Sequence, residues 1–130
     1  KIGIFTSGYN CHVNLSSSMV TANGSFGIKS SGQVNLNYSN ITFNNDDGVY
    51  LTGNNFSNIK NSIIWGNDVV NYNQINTSSG VTSITYSTVQ GSGAYGTSGG
   101  QYYYGDGSID DDPVFADSEQ HMSTFSNCVD

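Results

Sequence analysis

The sequence contains few charged residues, and positive charge is the scarcest of all. Among 130 residues there are three lysines, no arginine and ten acidic residues, so the formal net charge is −7. Proteins that bind nucleic acid or anionic lipid neutralise phosphates with clustered Lys and Arg. We therefore expect neither nucleic acid nor an anionic membrane surface among the partners.

Helix-forming residues and long apolar runs are also scarce. The chain has three Leu and three Ala, and only 35% of it is apolar, with no run of 18 apolar residues. Such a chain is poorly suited to helices and contains no candidate membrane span. Its 16 Gly and 9 Tyr, with many Asn, Ser and Thr, favour strands and tight turns instead. The composition predicts an all-β fold.

Only two cysteines are present, Cys11 and Cys128, near opposite ends of the chain. This spacing fits neither a metal site nor a redox CxxC motif. The chain begins at Lys1 without an initiator Met or a visible signal peptide, as expected if an upstream segment was removed or not included.

A repeat organises the chain. An aliphatic residue, a serine three positions later and a second aliphatic residue two positions after that occur together four times, at intervals of 21, 23 and 25 residues. The first aliphatic residues are Leu15, Leu36, Ile59 and Ile84. Three residues beyond the second aliphatic, three repeats carry Asn: Asn23, Asn44 and Asn67. A Gly-aliphatic pair also recurs, at residues 3–4, 27–28 and 48–49.

Repeats of this length with short strands between Gly and Asn turns are typical of a β-solenoid, whose stacked coils bury a continuous core. Equivalent aliphatic residues should lie above one another inside. The repeated Asn should form a ladder of side-chain amides at about 4.8 Å spacing, and the repeated Ser a second column. The alternative is a β-sandwich with similar strand spacing, which would not explain the matching Ser, Asn and Gly columns.

Three segments carry a resemblance to a known family: NSIIWGN at 61–67, ITYSTVQG at 84–91 and GSIDDDPVFAD at 107–117. They resemble the C-terminal part of pectate-lyase-like right-handed parallel β-helix proteins. In particular they look like the surface and secreted members related to polymorphic outer-membrane proteins and to β-helix proteins with a variable C-terminal anchor. The last ten residues are similar to the closing segment of these proteins. Asn127 stands where the family has Pro, and the chain stops before an anchor would follow.

The resemblance implies a right-handed parallel β-helix of about four to five coils. We expect a single domain over residues 1–130, with regular coils over 1–90, a Gly/Tyr-rich loop over 91–107 and a closing segment over 108–130. The resemblance also implies an extracellular or cell-surface location. Function does not follow from it, because this architecture hosts lyases, hydrolases, adhesins and filament proteins.

No residue is predicted to be catalytic. A lyase on this fold needs Lys or Arg beside a bound uronate, but Lys29 and Lys60 have no matching carboxylate cluster. Asp46 and Asp47 faintly resemble the paired carboxylates of a galacturonan hydrolase. The Gly-His-Gly and Arg-x-Lys segments of such hydrolases are missing, so we interpret the two aspartates as turn residues before Gly48.

Four aspartates close together are the candidate metal ligands: Asp106, Asp110, Asp111 and Asp112. Ca²⁺ takes six to eight oxygen ligands and suits such a cluster, although the spacing is not that of an EF-hand loop. The alternative is an Asx-turn before Pro113. Apart from this Ca²⁺ hypothesis no cofactor is expected.

The histidines and aromatic residues admit two interpretations. His12 and His121 have no ligand-type neighbours at metal spacing and are expected in surface turns. Aromatic rings can stack on sugars, so glycans are candidate partners, whereas the favoured role of the rings is packing. The aromatic residues considered are Trp65, Tyr9, Tyr50, Tyr72, Tyr86, Tyr95 and those at 102–104.

The solenoid ends suggest self-association. Gly3 and Ile4 already belong to the second block of the repeat, and no capping helix precedes them, so the first coil has an open edge. Copies stacked head to tail would build a filament. About five coils separate the cysteines by about 24 Å, too far for one bridge unless the tail folds back. A disulfide between Cys11 of one copy and Cys128 of the next is therefore an open possibility, as are free thiols.

The sequence thus favours a non-enzymatic extracellular structural protein, an adhesive or filament-forming module. The alternative is a fragment of a carbohydrate-binding or polysaccharide-degrading protein whose catalytic coils lie outside this segment.

Overall fold

The computed structural model describes residues 1–8, 10–91 and 97–128, and within these ranges it contains strands and no helix. Accordingly, the described ranges hold no helix that could cross a membrane. The strands are β1 (Ile4–Thr6), β2 (His12–Ser16), β3 (Met19–Thr21), β4 (Ile28–Ser30), β5 (Gln33–Asn37), β6 (Asn40–Thr42), β7 (Val49–Leu51), β8 (Phe56–Lys60), β9 (Ile63–Trp65), β10 (Ile75–Thr85), β11 (Thr88–Val89) and β12 (Thr97–Tyr104).

The strands stack as a parallel β-solenoid of about four coils. Three strands form each coil and define three faces. The first face stacks β1, β4, β7 and the start of β10. The second stacks β2, β5, β8 and the end of β10, and the third stacks β3, β6, β9 and β11. The all-β, solenoid prediction is confirmed.

Columns of aliphatic side chains fill the interior. Ile4 pairs with Ile28, Ile28 with Val49 and Val49 with Ile75 on the first face. The third face aligns its aliphatic residues in the same way, as Val20, Ile41, Ile64 and Val89. The residues in the middle coils are almost completely buried. Because one coil is too thin to bury its own apolar face, this stacking supplies the hydrophobic stabilisation.

The serine column forms the corner between the second and third faces. The N–H of Ser18 donates to Ser39 Oγ at 3.3 Å, that of Ser39 to Ser62 Oγ at 3.1 Å, and that of Ser62 to Ser87 Oγ at 3.1 Å. Each Oγ in turn donates to the carbonyl two residues earlier in its own coil. One hydroxyl thus closes its own turn and binds the neighbouring coil.

The asparagine column forms the next corner and lies inside the solenoid. Asn23 Nδ2 donates to Asn44 Oδ1 at 2.9 Å, and Asn44 Nδ2 donates to Asn67 Oδ1 at 2.8 Å. Asn44 and Asn67 are each 1% exposed. The column that the repeat predicts is therefore present, and its amides satisfy one another away from water.

Gln74 ends this column in a way the repeat did not reveal. The fourth repeat has Ser92 where an Asn would stand. Gln74 occupies the position that Gly48 holds one coil earlier, and its Oε1 accepts from Asn67 Nδ2 at 2.8 Å. Its Nε2 donates back to the Asn67 carbonyl at 2.9 Å. A Cβ at Gly48 would lie 2.7 Å from Asn67 Nδ2, so a side chain fits this column only where the Asn is missing.

Left-handed residues precede the ladder residues at both corners. Tyr38 and Tyr86, directly before ladder serines, have φ of 52° and 48°. Phe43, directly before Asn44, has φ of 53°. Non-glycine residues adopt this conformation at a cost of about 1–2 kcal/mol, which the ladder hydrogen bonds offset.

The prediction of a loop over residues 91–107 is wrong for the second half of that range. Strand β12 pairs in parallel with β10, from Ile75 opposite Thr97 to Ile84 opposite Tyr104. Gly99 and Gly100 turn the corner with φ of 71° and 36°. A side chain at Gly99 would clash with the Thr77 carbonyl, so glycine is required there by close packing and not by loop mobility. Residues 92–96 lie outside the described ranges.

The closing segment folds back over the third face. Its backbone pairs Phe115 with Met122, and the Phe115 ring meets Phe43 edge-on at 5.9 Å. Gln120 Nε2 donates to the hydroxyls of Thr21 and Thr42. Thr42 points outward from its strand, yet it is 0% exposed because this segment covers it.

We predict that Asn44→Ala destabilises the protein by about 3 kcal/mol, because it removes the amide hydrogen bonds to both neighbours and leaves their partners buried. Asn35→Ala is the matched control. Asn35 belongs to an exposed ladder with Asn14 and Asn58, so its loss should cost less than about 1 kcal/mol. Urea unfolding of both variants measures the difference. Equal losses of unfolding free energy in the two variants would contradict the conclusion that the buried Asn column is the main polar contribution to stability.

Candidate functional site

A groove of about 750 Å³ runs between the serine corner and the closing segment. One wall is formed by the turns of successive coils, and the other by the returning chain around residues 120–128. Its volume is in the range of small-ligand sites. The residues that line it include Tyr38, Asn61, Tyr86, Gly107, Gln120 and His121.

Tyr38, Asn61, Tyr86 and Gly107 occupy equivalent turn positions in successive coils. The N–H of Tyr38 donates to the Lys60 carbonyl, and that of Tyr86 to the Asp106 carbonyl, which fixes this alignment. Tyr38 and Tyr86 are 63% and 56% exposed. They lie two coils apart, which corresponds to about 9–10 Å along the solenoid. The sequence analysis considered Tyr86 but missed Tyr38, although both directly precede a repeat serine.

Gly107 leaves room for the Tyr86 ring. A Cβ at Gly107 would clash with that ring, so the ring lies against the backbone of the next coil. The same pairing recurs at the neighbouring corner, where a Cβ at Gly66 would lie 2.7 Å from the Phe43 ring. Tyr86 and Phe43, both in left-handed turns, are thus each supported by a glycine one coil further on, whereas Tyr38 is followed there by Asn61.

The wall opposite contains amide and imidazole groups. Among the described residues, Gln120 Oε1 is buried without a hydrogen-bond partner, while its Nε2 holds the two threonines. His121 Nδ1 lies 2.7 Å from Asp117 Oδ2. That hydrogen bond, with the nearby negative charge, raises the pKa of His121, and the same bond lowers the pKa of Asp117. Among the described residues the lining includes no Lys, Arg, Asp or Glu, and its one imidazole, that of His121, lies against the Asp117 carboxyl group.

The four aspartates proposed for Ca²⁺ have separate partners. Asp110 Oδ1 accepts the Gly91 N–H at 2.6 Å, and Asp112 Oδ1 accepts the Val114 N–H at 2.8 Å. Asp111 Oδ2 accepts from Asn127 Nδ2 at 3.4 Å, while Asp106 contributes its backbone carbonyl to Tyr86. No group of three or more His, Cys, Asp or Glu within the described ranges is arranged to hold a metal.

Asp46, Asp47 and Asp68 form an acidic corner beside the asparagine ladder. Asp47 and Asp68 are 6% and 4% exposed, and desolvation is the main cause that raises the pKa of Asp47 to about 6. The charges of Asp68 and Asp46 raise it further, and hydrogen bonds from Asn76 and Asn73 oppose the shift. A carboxyl group with a raised pKa beside a second carboxyl group is a pairing used in glycosidases. Asp47 and Asp68 are both buried, however, which keeps them away from a bound saccharide.

The cysteines are free and distant in the fold. Cys11 lies at the turn before β2, where its thiol contacts the Gly8 carbonyl at 2.9 Å. A hydrogen bond with Thr6 lowers the pKa of Cys11. Cys128 Sγ lies 3.1 Å from the hydroxyl of Thr88, at the start of the third face. The tail does fold back, but it does not bring the two thiols together.

The other candidate residues have structural contacts. His12 Nδ1 lies 3.0 Å from Gln33 Oε1 on the surface of the first two coils. Lys29 Nζ lies 4.8 Å and 5.0 Å from the stacked rings of Phe26 and Tyr50, in a cation–π arrangement. Trp65 is half-buried and aligned with Thr42. Tyr9 and Tyr95 lie outside the described residues.

Comparison with known proteins returned no match: no family model, no curated protein and no solved structure is significantly similar to this chain.

We predict that Asp47→Asn stabilises the protein at pH 7 by about 1–3 kcal/mol and that this gain shrinks as the pH falls to 4. The pKa of Asp47 is higher in the folded protein than in the unfolded chain. The stability that this shift gives the parent protein is therefore complete below the unfolded pKa and is lost as the pH rises through about 6. Urea unfolding at several pH values measures the difference from the parent protein.

Asp106→Asn, on the exposed surface, controls for the removal of one negative charge. A gain from Asp47→Asn that stays constant between pH 4 and pH 7 would contradict the assignment of the raised pKa to Asp47.

Proposed function

We propose that this chain is a non-enzymatic extracellular structural protein, a rigid β-solenoid module with an adhesive or filament-forming role. The observation that carries the proposal is the use of its polar side chains along the solenoid axis. Asn and Ser columns bind each coil to the next, and the buried amides are satisfied within the column. Such a chain resists bending and local opening.

The closing segment adds a brace across the coils. Gln120 reaches the first two coils through Thr21 and Thr42, while Cys128 contacts Thr88 in the fourth. A segment anchored at both ends of the stack opposes separation of the coils between them. This supports a load-bearing or display role.

The carboxylates considered for Ca²⁺ binding or for catalysis are engaged in turns and corners. Asp110 and Asp112 accept backbone N–H groups, and Asp47 is buried beside the ladder. This supports the structural role over the polysaccharide-degrading alternative, in which the catalytic coils would lie outside this segment.

The family relation is part of the same proposal. The motifs at 61–67, 84–91 and 107–117 support a relation to pectate-lyase-like surface and secreted β-helix proteins. They also support an extracellular or cell-surface location, which suits a fold stabilised by neutral polar ladders.

Self-association by head-to-tail stacking remains part of the proposal, but the fold argues against a covalent version. Cys11 lies at one end of the five-residue second face, and Cys128 lies beyond its other end. Five residues of strand span about 16 Å, so an in-register stack of copies would hold the thiols too far apart for a bridge of about 6 Å.

Incubation with cellulose, mannan and polygalacturonate tests the structural role against the enzymatic one. We expect no new reducing ends and no unsaturated uronates above the buffer level. Asp47→Asn is the informative variant, since Asp47 has the raised pKa that an acid catalyst needs. Release of product that this variant abolishes would contradict the structural proposal.

Non-reducing gel electrophoresis of the isolated protein tests the cysteine geometry. We expect one monomer band that reductant leaves unchanged, because stacking in register keeps the thiols at different corners. Cys11→Ser is the control for any higher band. A ladder of multiples that collapses on reduction, and that Cys11→Ser removes, would show a rotated stack with covalent links.

A further inference from the structure

We propose that the groove between the serine corner and the closing segment binds a neutral, extended glycan, with Tyr38 and Tyr86 as its two stacking platforms. This inference rests on the proposed adhesive role and names the ligand class for it. It depends on the spacing of the platforms, on the charge of the lining and on the hydrogen-bonding groups between the rings.

The spacing favours an extended polymer. Tyr38 and Tyr86 belong to equivalent turn positions two coils apart, so these positions repeat at about 9–10 Å along the solenoid. In an extended, β-linked glycan, alternate sugar rings present the same face, and the solenoid repeat allows two of these rings to be contacted at once. A compact ligand would contact only one platform.

The Tyr86 ring is held in place before any ligand binds. Both tyrosines have left-handed backbone conformations, and a ladder serine follows each of them. The Tyr86 ring also lies against Gly107 in the next coil, whereas Asn61 holds that position next to Tyr38. An exposed aromatic ring supported in this way loses little conformational entropy on binding, which favours affinity.

The lining selects a neutral ligand. Among the described residues it contains no Lys, Arg, Asp or Glu, and its one imidazole, that of His121, is already paired with Asp117 and so is not free to pair with uronate or phosphate. Asn61, between the two platforms, presents an amide to the groove, and its Nδ2 is held by Asn37 Oδ1 at 3.0 Å. Amides and hydroxyls satisfy sugar hydroxyls without the desolvation cost of burying a charge.

Gln120 supplies a further acceptor in the opposite wall. Its Oε1 is buried without a hydrogen-bond partner among the described residues, although it belongs to a residue that lines the groove. Buried acceptors are normally satisfied. Because this oxygen has almost no exposed surface, a ligand hydroxyl would reach it only if the closing segment shifted. A polyhydroxylated ligand is the class that brings such donors.

Titration calorimetry of the intact protein with cellotetraose, mannotetraose and chitotetraose tests the proposal, and tetragalacturonate is the acidic counterpart. We expect at least one neutral tetrasaccharide to bind with a Kd of millimolar or below, and more tightly than tetragalacturonate. Tyr38→Ala and Tyr86→Ala should each raise that Kd about tenfold, equivalent to about 1.4 kcal/mol.

Tyr103→Ala is the matched control, because Tyr103 is 59% exposed and lies outside the groove. Tyr86→Leu keeps an apolar side chain over Gly107 and tests the ring itself if the alanine variant loses stability. Thermal unfolding verifies that each variant is folded.

Three results would overturn the proposal: no binding of any neutral tetrasaccharide at millimolar concentration, tighter binding of tetragalacturonate, or equal effects of Tyr103→Ala and Tyr86→Ala. Any of these would leave the structural role standing, since the product-release assay decides that separately.

Discussion

Hydrogen bonding along the solenoid axis is the constraint on which the rest of the structure depends. A coil of three short strands has no partner within itself, so its backbone groups and its corner side chains must be satisfied by the coils on either side. Asn44 shows the requirement most clearly, since it is almost completely buried and bonded to Asn23 on one side and Asn67 on the other. Loops of different length are tolerated between coils as long as these columns stay in register.

The left-handed turns follow from the same constraint. A ladder residue can bond along the axis only if the residue before it turns the chain sharply, and positive φ provides this turn at Tyr38, Phe43 and Tyr86. Their side chains are thereby directed outward, where Phe43 packs on Phe115 of the closing segment. Tyr38 and Tyr86 remain exposed. The same backbone geometry that joins the coils therefore creates the surface for which we propose a ligand.

The acidic corner and the groove show how position decides the role of a side chain. Asp47 has a raised pKa, but it is buried beside the Asn column and belongs to the acidic corner with Asp46 and Asp68. The tyrosines of the groove have exposed side chains, which suits contact with an extended polymer. The structural module and adhesive groove that we propose unite these features: the interior uses amides and aliphatic residues for rigidity, and the proposed recognition surface lies where the closing segment leaves the corner open.

The sequence by itself determined the coil and its columns, because the same side chains recur at every position where neighbouring coils touch. The aliphatic interior, the Ser corner and the Asn corner could all be predicted from Leu36, Ser39 and Asn44 and their repeats. The contacts that do not belong to the repeat were decided only by the tertiary structure. Gln74 joins the ladder from another position in the coil, β12 continues the sheet through a Gly-rich stretch, and Gln120 covers threonines about 80–100 residues earlier in the chain. These contacts occur once, between segments with no shared pattern, so no periodicity could signal them.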